Sequence, residues 1–357
     1  MLARFSPEFW YAFLQLGVIV TFAITALRAW KHSRARFVEL VSAFLFGLLL
    51  EQGDIFLFGT YRYNENWILL GDVPIAIALT WALIIAGAMN MTDALGIPTN
   101  DGGRMTNRMP SFVSAPMADA VWAILLDLAI DAIAIRLGLW TWTIRADEGW
   151  FGVPWGNFFA WLFVAFWFSF FTRLVRGSVI ARSGLRDKAI SNVRGIQIAA
   201  EHGSEQKRLA MMLSRQWFVP FFAFLALIAT LVPFVAIENT AALPFVPDDA
   251  PAYNNAVWVI FAFTLAVFVS VTVWALRQTR IPREPIEHWL LLVRLVIHLL
   301  FLCALLVTGM YFDAPLLLVV ALAMLLVEMI LTRGWFIDLG ITARQFLRQN
   351  FIGARVK

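Results

Sequence analysis

Asp127 and Asp131 stand four residues apart in DLAIDAIAIR, where every other residue before Arg136 is apolar, so a helix would put both carboxyls on one face. Glu51, Gln52 and Asp54 interrupt a second apolar run, and Asn157 and Trp161 lie in a third, FGVPWGNFFAW. Carboxyls in such runs are costly in lipid and are kept for pairing, ion handling or chemistry. Burial without a cation penalises the charged form, and two close carboxyls tend to share one proton. A pair of that kind can deliver a proton to a substrate with no polar handle, or relay protons or cations; it is a poor nucleophile. Nearby aromatic residues add π faces that stabilise a positive charge. Acids in an aromatic lining therefore suit protonation of an alkene to a carbocation.

The elements that would position these residues are membrane helices. The chain is 61% hydrophobic and only 15% charged, its mean hydropathy is +0.75, and several runs reach the ~20 apolar residues that cross a bilayer. An all-α polytopic membrane protein is expected, with nine helices near 9–28, 37–57, 74–95, 115–137, 154–174, 217–237, 255–276, 288–310 and 315–332. The opening MLARFSPEFW has no cleavage-site pattern, so the first run is expected to be retained as a helix. Alternate connections and the tail hold 23 of the 28 Lys and Arg residues; the other side holds Arg4, Arg62, Arg136 and Arg145, and Arg294 falls within a helix. The positive-inside rule then sets the N-terminus outside and the C-terminus in the cytoplasm of a multi-pass plasma (inner) membrane protein. The basic stretch 177–215 divides a five-helix part, 1–176, from a four-helix part, 216–357. It reads equally as a solvated linker or as an amphipathic helix on anionic lipid.

Topology converts position into depth. Glu51, Gln52 and Asp54 fall about 6–10 Å beyond the midpoint of an outward-running helix, at ~1.5 Å per residue. Asp127, Asp131, Trp81, Asn157 and Trp161 reach similar depths, so all could line one cavity in the outer leaflet, with Tyr61, Tyr63, Trp140 and Trp142 at its rim. Plainer readings stand beside this one. Trp140, Trp142 and Trp150 fit an interfacial belt, Asn157 fits a helix-to-helix bond, and Asp131 fits an ion pair with Arg136. A set of acids at one depth without matching cations favours function for Asp127, Asp131 and Glu51. Asp93 and Asp119, near the cytoplasmic helix ends, are expected to meet headgroups or water.

Other chemistries lack their residues. Of the four histidines only His298 lies well inside a helix, where Arg294 four residues earlier makes a local polar patch. No metal or other cofactor is expected, nor a nucleic-acid partner. Cys303, the single cysteine, excludes an internal disulfide and reads as a small packing residue. There is no phosphate loop or dinucleotide fingerprint. Asp127 and Asp131 match DxxxD alone, without the paired acidic clusters that hold a magnesium-bound diphosphate.

At these residues the sequence resembles the membrane-bound carotenoid biosynthesis protein family, which includes hydratases of lycopene-like and bacterioruberin-type chains. The matching pieces are Glu51 with Gly59, Tyr61 and Tyr63; Pro74 with Trp81; Asp127 and Asp131 with Gly138, Trp140 and Trp142; and Phe151 to Trp161. They span roughly 37–175, with Ala132 and Ala160 standing where the family has proline and glycine. The resemblance implies a membrane-dissolved polyene or other isoprenoid and a hydro-lyase: protonation of a terminal trisubstituted alkene, a tertiary cation, and capture by water. It implies Asp127 or Asp131 as the acid and the partner carboxyl or Glu51 holding the water. Trp81 and Trp161 would shield the cation, Asn157 would orient a carboxyl or the water, and Asp54, Tyr61, Tyr63 and Trp140 would complete the substrate-binding lining. A proton-initiated cyclase or isomerase would use the same acid. A transporter or lipid-binding protein with proton-relaying acids is the alternative from another class.

Overall fold

In the computed structural model the described residues are 7–64, 67–97, 111–142, 149–191, 219–238, 250–278 and 287–347. They form an all-α bundle with two small strand pairs. Helices α1 (Pro7–His32) and α2 (Arg34–Leu57) are separated only by Ser33, whose extended backbone and side-chain hydroxyl cap α2 by accepting from the Arg36 amide. Strand β1 (Tyr61–Tyr63) follows, then β2 (Leu69–Leu70) and β3 (Val73–Pro74), which pair with each other and lead directly into α3 (Ile75–Ala94). Next come α4 (Ser111–Arg136), β4 (Trp140–Trp142), which pairs with β1, and α5 (Trp155–Ser191). Helices α6 (Val219–Glu238), α7 (Ala250–Gln278), α8 (His288–Thr308) and α9 (Pro315–Leu347) complete the described chain.

Seven of these nine described helices are long and apolar enough to cross a membrane; α4 and α6 are the other two. Helix α5 runs to Ser191, well past the expected end near 174. The rest of the basic stretch 177–215, from 192 onward, lies outside the described residues, as do Arg4, Arg104, Arg108, Arg145, Arg280, Arg283 and the last ten residues.

Helix α4 is the axis of the bundle, touched by α3, α5, α7, α8 and α9, while α6 lies across α2 and α5 and α1 lies on α2 and α3. Its sequence explains that position. Ala115, Ala118, Ala120, Ala123, Ala129, Ala132 and Ala134 are all buried, and small side chains let neighbouring backbones approach closely in lipid, where dispersion and not water exclusion holds helices together. The helix stops at Gly138, whose positive φ of 76° lets the Gly138 and Leu139 amides turn back onto the Ile135 and Ala134 carbonyls. By contrast α1, α7, α8 and α9 present large exposed apolar side chains, among them Leu16, Phe263, Val296 and Leu316, as a lipid-facing surface requires.

Two buried ion-pair clusters tie the helices together, and one corrects an expectation. Asp119 does not meet headgroups or water, and Asp93, whose side chain is 13% exposed, is held by Arg36, Arg173 and Arg176. Asp119 is 1% exposed and takes both Nε and Nη2 of Arg173, with Ser169 donating to the same carboxyl. Arg173 also reaches Asp93 at 2.6 Å, and Arg176 joins Asp93 to Glu39 of α2. Position along the chain gives depth but not the cation on a neighbouring helix, and Arg173 holds Asp119 inside and pairs with Asp93. The second cluster lies in the back half. Arg294 of α8 is held by both oxygens of Glu328 on α9, at 2.6 and 2.8 Å, and donates to the Trp122 carbonyl of α4. His298 stands 3.9 Å from the same carboxyl, so the expected patch is a cross-helix cluster. Cys303, expected to be a packing residue, is exposed.

Removing one partner of a buried pair leaves an uncompensated charge. Arg294→Met alone is expected to cost about 3–5 kcal/mol, and Arg294→Met with Glu328→Leu much less. Thermal unfolding of the two purified variants beside the parent checks this order.

Candidate functional site

Glu51 sits on α2 and is 8% exposed. Three donors from two other elements converge on its carboxyl. Tyr61 and Tyr63 both donate to Oε2, the latter at 2.6 Å, and Trp81 Nε1 donates to Oε1 at 2.6 Å. The strand β1 explains why both phenols arrive. Residues two apart share one face of a strand, so Tyr61 and Tyr63 turn to the acid while Arg62 is exposed. The partner strand repeats the pattern, with Tyr61 opposite Trp142 and Tyr63 opposite Trp140. Ring centroids of these pairs are 4.9 and 6.1 Å apart, giving a four-ring roof. Burial, and then the adjacent Glu51 charge, push both phenols well above the usual tyrosine range, so they remain donors.

The floor is the carboxyl pair of α4. Asp127 is fully buried and Asp131 is 5% exposed. Asn157, near the start of α5, donates from Nδ2 to Asp131 Oδ2 at 2.5 Å and lies 3.4 Å from Asp127 Oδ2. The two carboxyls are close enough to interact electrostatically. Glu51 is within electrostatic range of both. Asp127 Oδ1 is buried and has no hydrogen-bond partner among the described residues.

Arg136 leaves the acids alone. Its Nη1 donates to the Ala132 and Phe151 carbonyls, both at 2.7 Å. Phe151 has a positive φ of 53°, unusual for a residue with a Cβ, and that carbonyl contact holds the turn from which α5 departs. Gly149 in the same turn is required, because a Cβ there would strike the Val153 carbonyl. Trp150 is no free interfacial residue: its Nε1 donates to the Leu128 carbonyl at 2.8 Å. Trp161, one helical turn beyond Asn157, stacks on Trp81 at 4.1 Å and 30°. Asp54 lies a turn past Glu51, half-buried, close enough to Tyr61 to interact electrostatically, while its backbone carbonyl accepts from Phe58 and Gly59.

Of the residues expected to line one site, Glu51, Tyr61, Tyr63, Trp81, Trp140 and Trp161 are linked by hydrogen bonds and ring contacts. Asp127, Asp131 and Asn157 form a second group, within electrostatic range of Glu51 and Tyr63, and Asp54 lies at the edge. Among the described residues no group of three His, Cys, Asp or Glu is arranged to hold a metal ion. The sequence reading missed Gly47. A Cβ there would lie 2.7 Å from Trp81 Cβ, so its absence is what lets Trp81 lie against α2 and reach Glu51 one turn on. It also missed the latch beside the site, where Gln52 accepts from the Asp72 amide and donates to the Asp72 carboxyl at 2.9 Å.

The family model described as carotenoid biosynthesis protein matches residues 9–237. The chain belongs to that family. The match extends past 37–175 at both ends to take in α1 and α6, and it leaves α7, α8 and α9 outside. No curated protein and no solved structure matches the chain.

Gly47→Ala is expected to cost about 1–3 kcal/mol by overpacking and to move the Trp81 indole off Glu51 and Trp161. Gly53→Ala on the same helix, where a Cβ meets nothing within 4 Å, is expected to change neither. Near-ultraviolet circular dichroism and thermal unfolding of the two variants report the difference.

Proposed function

We propose that this membrane protein of carotenoid biosynthesis is an enzyme that hydrates a terminal alkene of a lycopene-like polyene by general acid catalysis. The supporting observation is the buried Asp127–Asp131 pair, bridged by Asn157, with no cation on it and one Asp127 oxygen unpartnered among the described residues. A carboxyl acid in an apolar site can protonate a substrate that offers only π electrons.

In this reading Asp127 gives its proton to the less substituted alkene carbon, and the tertiary cation forms on the other. The stacked faces of Trp81 and Trp161 shield that charge. Water attacks the cation and passes a proton back to the Asp127–Asp131 pair, which regains the one it lost. Glu51, fixed by Tyr61, Tyr63 and Trp81, holds the water, and Asn157 orients Asp131. Tyr61, Tyr63, Trp140 and Asp54 bound the substrate end. The protein sits in the plasma (inner) membrane with the acid site toward the outside and the C-terminus in the cytoplasm, as the uneven spread of Lys and Arg suggests. A cyclase or isomerase would share the first step and end by losing a proton.

Expression in a lycopene-accumulating bacterium, with pigments analysed by mass spectrometry, tests the reading. The expected product is heavier by one water, and Asp127→Asn and Asp131→Asn each lower its yield by at least about 100-fold. A product of unchanged mass indicates cyclisation or isomerisation instead. Unaltered lycopene with the parent protein overturns lycopene as the substrate.

A further inference from the structure

A cavity of about 170 Å³ opens between α1, α2, α3, α5 and the start of α8, at the end of the bundle opposite the acid site. Glu39 at the cavity and Glu51 at the acid site are twelve residues apart on α2, about 18 Å. We propose that this cavity binds the phosphate head group of an anionic phospholipid, with the upper part of an acyl chain on its apolar wall.

The polar lining is Thr25, Arg36, Glu39, Asn90, Arg176 and Glu287; the apolar wall includes Leu40, Ala43, Ile85 and Phe168. Its carboxyls face cations: both Glu39 oxygens accept from Arg176 and Glu287 Oε1 accepts from Arg28, while the Glu287 backbone N–H and carbonyl bond to the Asn90 side chain. The Arg36 guanidinium is less engaged. Among the described residues the Arg36 side chain makes one hydrogen bond, from Nη2 to Asp93 at 3.2 Å; its Nη1 is 3.9 Å from Glu39, and the side chain is 45% exposed. A guanidinium with spare N–H groups, half in solvent, matches a phosphate oxygen pair. Exposed Lys31 and Arg34 add positive charge at the turn between α1 and α2, where anionic headgroups are drawn to basic residues flanking a span. The apolar wall argues for a lipid over inorganic phosphate, which has nothing to place there.

The test uses the full chain, purified and delipidated in detergent. Its ligands are short-chain phosphatidylglycerol, phosphatidylcholine with the same chains, and inorganic phosphate; the readouts are native mass spectrometry and the thermal midpoint. Phosphatidylglycerol is expected to remain bound and to raise the midpoint. Arg36→Gln is expected to weaken it roughly tenfold, by loss of charge-assisted hydrogen bonds. Ala86→Leu, which fills the cavity from the half-buried face of α3, is expected to abolish binding while leaving the guanidinium in place. Phosphatidylcholine bound as tightly as phosphatidylglycerol, or equal binding by the parent and both variants, overturns the proposal. A shift produced equally by inorganic phosphate overturns the lipid and makes this a simple anion site.

Discussion

The buried guanidinium groups of Arg173, Arg176 and Arg294 decide which acids of this bundle are paired. Inside a bilayer an acid is stable when a cation faces it or when it keeps its proton. Arg173 and Arg176 stand among Asp93, Asp119 and Glu39, and Arg294 stands against Glu328. Those acids become ties between helices. Among the described residues Glu51, Asp127 and Asp131 receive only neutral donors, from Tyr61, Tyr63, Trp81 and Asn157. Arg136, the basic residue nearest them in sequence, is occupied by two backbone carbonyls. Carboxyl side chains thus have two fates in a single protein, and the division separates the end tied by ion pairs from the end where the acids meet neutral donors.

Charge alone would leave Glu51, Asp127 and Asp131 as three separate costs. They are gathered by two pieces of local geometry. The spacing of Asp127 and Asp131 stacks their carboxyls on α4, and the alternation in YRY and WTW sends four rings to one side of a strand pair. Neither strand is long enough to stand alone. They persist because their rings close over Glu51 and because Gly138 aims β4 back across the end of α4. The roof depends on the acid as much as the acid depends on the roof.

The helical architecture was legible in the sequence because an apolar run of bilayer length has few other uses. The nearness of Glu51 to Asp127 and Asp131 was legible as well, since carboxyls in such runs are few and topology assigns each a depth. What depth could not supply was lateral neighbourhood. Asp93 and Asp119 look solvent-seeking by position, yet Arg173, counted with the basic linker, turns inward to meet them. Glu328 carried no signal until Arg294 was seen one helix away. Gly47 is one glycine among many in sequence, and only the Trp81 side chain packed against it shows what it permits. Cys303 shows the same limit in reverse, because a small apolar residue in a membrane helix fits either the core or the lipid face.

Helices α7, α8 and α9 fall outside the family match, yet they are not appended to a finished domain. Arg294 reaches past its own helix to the Trp122 carbonyl, five residues before Asp127, and a Cβ at Gly87 of α3 would come within 3.0 Å of its Cγ. Trp155 at the start of α5 lies against Phe261 of α7 at 5.9 Å, two residues before Asn157. Both helices that carry the acid pair and its bridging amide are therefore braced from behind by the extra three. Packing at interior density leaves little freedom for one face of α4 to shift without the other. The position of the Asp127 carboxyl is thus a property of the described bundle as a whole, including the part that the family pattern does not reach.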